Sequence, residues 1–140
     1  METAERYFLP KSERLFLQKE IDRLFDNGQS FISYPLRIIY LPANEANTSK
    51  SGISILVSVP KKRIKRAVKR NRIKRLIRET FRLQKNTLSH ECERHKSGLH
   101  IAFLYIGNEV LPYAGIAKAM SHALKTIGMQ NLAFNETINE

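Results

Sequence analysis

The sequence predicts a single α/β domain of the α+β kind, a two-layer sandwich in which a small mixed sheet carries helices in the order α-β-β-α-β-α. Three stretches repeat apolar residues at the helical period, and three others alternate or run apolar as strands do. The 140 residues suffice for one hydrophobic core but not two, and 42% hydrophobic with 26% charged residues is the composition of a folded globular chain. No internal repeat or linker-like stretch divides it. One domain is therefore expected over residues 1–140, with an ordered core from roughly residue 12 to 128 and frayed ends.

From Ser12 to Asp26, the residues Leu17, Ile21, Leu24 and Phe25 recur at i, i+4, i+7 and i+8, one face of a helix that Asn27-Gly28 stops. Phe31–Leu41, rich in aromatic and β-branched residues, reads as one strand, with Pro35 marking an edge position or a bulge. The stretch from Pro42 to Ser51 is a polar loop. Ile53, Ile55, Val57 and Val59 then alternate with Ser54, Leu56 and Ser58, a second strand closed by Pro60. A basic helix follows, and Asn86–Gly98 is a polar connection. Leu99–Ile106 is almost continuously apolar, as a strand buried on both faces would be. After Pro112, the residues Ile116, Ala117, Met120, Leu124 and Ile127 share one side of a last helix, with Gly128 as its stop.

The charge is concentrated. Lys61 to Arg82 holds twelve basic residues and one acid, Glu79, so these 22 positions carry the whole net charge of +11. Solvated helix faces normally mix signs, whereas like charges packed together repel one another until a polyanion relieves them. On a helical wheel Ile73, Leu76, Ile77, Thr80, Phe81 and Leu83 share one arc. Asn71, Arg72, Lys74, Arg75, Arg78 and Arg82 share the opposite arc, with Arg70 at the border. One side can pack on a sheet while the other presents cations, seven of the twelve being Arg, whose guanidinium grips phosphate oxygens bidentately. Asn71 has two possible roles: contact with a base edge or ribose hydroxyl, or fixing a turn near Arg70.

The run Lys61-Lys62-Arg63-Ile64-Lys65-Arg66-Ala67-Val68-Lys69-Arg70-Asn71-Arg72-Ile73-Lys74-Arg75-Leu76-Ile77-Arg78-Glu79 closely resembles the signature of the bacterial ribonuclease P protein subunit: an Arg-Asn-Arg core, Ile-Lys-Arg after it, Lys-Lys and Arg-Ala before it. Ser58-Val59 before Lys61-Lys62 and Phe25-Asp26-Asn27-Gly28 after the first helix fit as well, and roughly residues 12 to 127 follow the family's order of elements. The resemblance implies a protein that binds a large catalytic RNA and assists removal of 5′ leaders from precursor tRNA, the RNA holding the active site and its Mg²⁺. Lys61, Lys62, Arg66, Arg70, Asn71, Arg72, Lys74, Arg75 and Arg78 would contact the catalytic RNA. Ile21, Phe25, Tyr34 and Tyr40 would line a leader-binding cleft between the first helix and the sheet, core packing being the competing role of the three aromatics. Ile21 stands where the family has an aromatic, and the third strand lacks the acid and Arg that often bound it. The resemblance also implies a left-handed β-α-β crossover, where general topology favours the right-handed form.

Catalytic parts are scarce. The only two Asp residues, Asp22 and Asp26, are expected on the exposed side of the first helix, and no phosphate-cradling glycine loop, Cys-x-x-Cys or nucleophile elbow is present. His90, Cys92 and His95 fit no zinc spacing and read as a solvated loop, while His100 and His122 are expected without a chemical role. No catalytic residue, protein-held metal, organic cofactor or obligate protein partner is expected. No apolar run approaches the ~20 residues of a membrane span. The acidic start Met1–Glu5 lacks a secretory h-region, and the lone Cys92 suits a reducing, cytoplasmic setting. The rival reading is a non-catalytic nucleic-acid-binding module, ribosome-associated or DNA-binding, although a strand rather than a short helix precedes the basic helix. A membrane-surface helix is less suited, because the apolar face is needed for the core.

Overall fold

The structure, a computed structural model, describes residues 18–43, 53–86 and 98–139. Its elements are α1 (Gln18–Asn27), β1 (Gln29–Ser33), β2 (Leu36–Ala43), β3 (Ile53–Ser58), α2 (Ala67–Gln84), β4 (Gly98–Tyr105) and α3 (Tyr113–Asn139). Ser12 to Leu17, most of the expected polar loop before β3, and the connection bearing His90, Cys92 and His95 lie outside the described residues.

The order is α-β-β-β-α-β-α, which corrects the six-element expectation at one point. The single strand expected over Phe31–Leu41 is a hairpin: β1 and β2 pair antiparallel, with Ser33 opposite Leu36 and Ile32 opposite Arg37. Tyr34-Pro35, joined by a cis peptide bond, forms the turn. Proline lacks the N–H a ladder needs, and here it ends one strand rather than bulging it. The strands lie in the order β1-β2-β4-β3. β4 runs antiparallel to β2 and parallel to β3, and α2 makes the long return that a parallel pair requires.

Alternate strand residues point to opposite faces. On one face Leu36, Ile38 and Tyr40 of β2, Ile53 and Ile55 of β3, and Leu99, Ile101, Phe103 and Tyr105 of β4 join Ile73, Ile77 and Phe81 of α2 and Ile116, Met120 and Ile127 of α3 in one core. The Phe81 and Phe103 rings meet at a centroid distance of 5.9 Å. Among the described residues the opposite face is thinly covered: Leu24 of α1 packs on Ile39 and Ala102, with Ile21, Leu41, Leu56 and Leu104 around them. The sandwich is thus complete on the α2/α3 side, and α1 adds a partial layer. As expected, β4 is buried along both faces.

Two helix ends repay attention. Gly28 donates its N–H to the Leu24 carbonyl at 2.8 Å, and a Cβ there would come within 2.7 Å of the Ile39 side chain, so only glycine lets the chain turn this tightly against β2. Gly128, expected to stop the last helix, does not: α3 runs through it to Asn139. An interior glycine costs a helix only about 1 kcal/mol against alanine, and no proline follows to end it. Leu83, assigned by the wheel to the packed arc of α2, is 50% exposed, because it lies at that arc's margin.

Candidate nucleic-acid interface

The basic segment begins in a tight turn. The N–H groups of Arg63 and Ile64 both donate to the Pro60 carbonyl, at 3.1 and 3.2 Å, and buried Ile64 anchors the turn in the core. The chain stays extended at Arg66 (φ −83°, ψ 127°), which supplies no side-chain cap, and α2 starts at Ala67 with no acid in its first turn. The first N–H groups of α2 thus have no side-chain cap, and the positive end of the helix dipole lies among cations, with Glu109 of the facing loop as the nearby acid.

Along α2, Ile73, Ile77, Thr80 and Phe81 are buried, Thr80 Oγ1 donating to the Ile77 carbonyl at 3.0 Å. Lys61, Lys62, Arg66, Asn71, Arg72 and Arg75 are exposed, and Lys74 and Arg78 half-buried. Six of the nine residues expected to face the catalytic RNA are thus exposed, and Lys74 and Arg78 partly so. Arg70 behaves differently. Its Nη1 donates to the carbonyls of Ile64 (2.9 Å) and Lys65 (2.7 Å), so the guanidinium holds the turn before α2. Exposed Asn71 is not needed for that task.

The residues expected in a cleft divide between the two faces. Ile21 flanks the small cluster under α1, and Phe25 is 44% exposed on the same helix. Tyr34, in the hairpin turn, is 65% exposed. Tyr40 is not in the cleft: it belongs to the main core, 3% exposed, its ring edge-on to Phe31 and its hydroxyl donating to Gln29 Oε1 at 2.8 Å. Burial pushes its phenol above the usual tyrosine range. The position beside it, Ile39, faces α1 instead. Sequence reading missed the face of the hairpin on the α1 side, where Ile32 (62% exposed) stands opposite exposed Arg37, whose Nε donates to Ser30 Oγ at 3.3 Å. The turn position sets which residues face which way, and a one-residue change in register reverses the assignment.

Two histidines make contacts within the fold. Buried His100 of β4 reaches Glu20 of α1, Nδ1 to Oε2 3.7 Å. His122 Nδ1 lies 3.2 Å from Ser33 Oγ, a spacing that suits a nucleophile and its base. The serine hydroxyl, however, already donates to the Ala119 carbonyl at 2.8 Å, so His122 is left to donate to it. Asp22 and Asp26 are exposed, as expected. Among the described residues no three His, Cys, Asp or Glu side chains converge.

The sequence matches the family model described as Ribonuclease P over residues 9–128. It is 41% identical over 124 residues to the ribonuclease P protein component of Porphyromonas gingivalis, covering 89% of each chain. It is 36% identical over 105 residues to that of Chlorobium phaeobacteroides, covering 71% of this chain and 72% of the other. The fold is similar to the crystal structure of the Staphylococcus aureus RNase P protein, with a TM-score of 0.63 at 24% identity over 83% of this chain and 95% of that one. The chain belongs to the ribonuclease P protein component family, RNA-binding subunits of a tRNA-processing endoribonuclease whose catalytic part is RNA.

Proposed function

We propose that this protein, acting as one domain, docks the cationic face of α2 on the catalytic RNA of ribonuclease P and receives the 5′ leader of precursor tRNA in the groove between α1 and the sheet. The observation that carries this reading is the placement of the charge. The segment holding the entire net charge of +11 turns Ile64, Ile73, Ile77 and Phe81 into the core and leaves Lys61, Lys62, Arg66, Asn71, Arg72 and Arg75 exposed, with Lys74 and Arg78 half-buried. Such a face neutralises phosphate repulsion as two RNAs approach, and its guanidinium groups fix their register. Ile21, Phe25, Ile32 and Tyr34 offer apolar and aromatic surface to the unpaired leader bases, and Arg37 a charge for its phosphates. Arg70 supports the site by rigidifying the turn that presents Lys65 and Arg66.

The chemistry belongs to the RNA. Mg²⁺ bound by the RNA would supply the activated water, while the protein binds, orients and screens. The setting is the cytoplasm, where precursor tRNA is found; no described helix is long and apolar enough to cross a membrane.

The test is cleavage of precursor tRNA by bacterial catalytic RNA at low Mg²⁺, with and without the protein. Stimulation that grows with leader length is expected. Binding should weaken by ~10³ or more between 50 and 200 mM salt if six to ten phosphates are contacted. Preferential binding to duplex DNA without stimulation would overturn the assignment in favour of a DNA-binding module.

A further inference from the structure

At the carboxyl ends of the parallel strands β3 and β4, between the turn before α2 and the loop before α3, lies a cavity of about 690 Å³. Open parallel sheets bind ligands in this position, where the following helix points its free N–H groups into the crevice. Arg63, Lys65, Arg66, Lys69 and Arg72 form one side. Arg63, Lys65 and Lys69 are not among the residues assigned above to the RNA-binding face. The other side is built from Asn108 and Glu109.

This second side is not what a simple phosphate trap would contain. Glu109 is an exposed acid lining the same cavity as five cationic residues, and it forms no ion pair with any of them among the described residues. Asn108 Oδ1 accepts a hydrogen bond from Arg63 Nη1 at 3.4 Å, which leaves its amide N–H₂ free to donate. The loop is held in place before any ligand arrives. The Tyr105 hydroxyl donates to the Glu109 carbonyl and accepts the Leu111 N–H at 3.3 Å, and the Ile106 N–H donates to the Pro35 carbonyl at 2.8 Å. Gly107 lies against the Tyr105 ring, where a Cβ would approach to 3.2 Å.

The geometry points to a pocket for one unpaired guanosine nucleotide of the RNA partner, an inference that rests on the function proposed above. The cationic side and the start of α2 hold the phosphate. The Watson–Crick edge of guanine presents two adjacent N–H donors, N1–H and N2–H, beside the O6 acceptor. A carboxylate takes both donors and an amide N–H₂ reaches O6, as Glu109 and Asn108 are equipped to do. Adenine and uracil lack the paired donors, and cytosine offers only its amino group. The cavity lies within the roughly 300–1,000 Å³ of small-ligand sites.

The direction of one effect separates this pocket from plain electrostatics. If the cavity only attracts phosphate, Glu109→Gln removes a repulsive charge and binding to the catalytic RNA tightens. If Glu109 reads a guanine, the same change weakens binding about tenfold. Measured with full-length protein at physiological salt, with circular dichroism confirming the fold, tighter or unchanged binding overturns the proposal. A second arm titrates the free protein with GMP and with IMP, which lacks N2–H, and follows the backbone amides of residues 63–72 and 106–111 by NMR. GMP should bind at least fivefold more tightly than IMP, and Glu109→Gln should abolish the difference; equal affinities overturn the pocket. If the wild-type protein fails to bind the catalytic RNA at all, the proposed function fails, while the GMP and IMP comparison still decides the pocket.

Discussion

The two faces of the sheet are built on different scales. Towards α2 and α3, twenty of the described residues form a continuous buried apolar cluster; towards α1, the described buried apolar cluster is Leu24, Ile39 and Ala102, with buried His100 reaching Glu20 beside it. One face therefore holds the fold together, and the other is left shallow enough to admit a ligand. Since functional surfaces are drawn from the low-stability end of a structure, α1 should detach from the sheet at a lower free energy than α2 separates from α3.

The largest effect is expected on the thick face. Phe81→Ala removes a fully buried ring stacked at a tilt on Phe103 and should cost about 3–5 kcal/mol, enough to unfold a large part of the population. Urea unfolding followed by circular dichroism measures it, and a loss below about 1 kcal/mol would mean that the cluster is not the cooperative unit. On the thin face Leu24 is as completely buried, yet Leu24→Ala should cost less, about 2–3 kcal/mol, because the few neighbours there can relax into the gap. Native-state hydrogen exchange should show the α1 amides losing protection while those of α2 keep theirs. Equal loss in both helices would erase the distinction between the faces.

This division was only partly legible in the sequence. The alternation of β3, which sends Ile53 and Ile55 to the main core and Leu56 to the α1 side, the continuous apolar run of β4 and the split of α2 into apolar and cationic arcs follow from period alone, and each is present in the structure. The hairpin was hidden because Phe31–Leu41 has strand character on both sides of Pro35, and pattern does not say whether a proline bends a strand or ends it. That ambiguity carried over to the cleft. With the turn at Tyr34-Pro35, Tyr40 faces the thick core and Ile39 the thin one, and chemistry favoured the aromatic where geometry favours its neighbour. The guanine pocket was beyond local reading, because Arg63 and Asn108, which meet across it, stand 45 positions apart.

The smallest effects concern two arginines that the sequence treats as equals, on either side of Asn71. The Arg70 guanidinium donates to two backbone carbonyls, whereas Arg72 is exposed and lines the basic cavity. Arg70→Ala leaves the Ile64 and Lys65 carbonyls without this donor and frees the turn, for an expected loss of about 1–2 kcal/mol. Arg72→Ala should stay within about 0.5 kcal/mol of the wild type, and can stabilise the chain slightly by relieving repulsion among its neighbours. RNA affinity should fall in both variants for different reasons. The loss in Arg72→Ala is of a phosphate contact, so the salt dependence of binding becomes shallower by about one unit of slope. In Arg70→Ala the contacts survive on a looser turn, so affinity drops while the slope is kept. A double variant measured alone would merge the two causes. Measured singly, equally shallow slopes in both variants would place both arginines on the phosphates and deny Arg70 its supporting role.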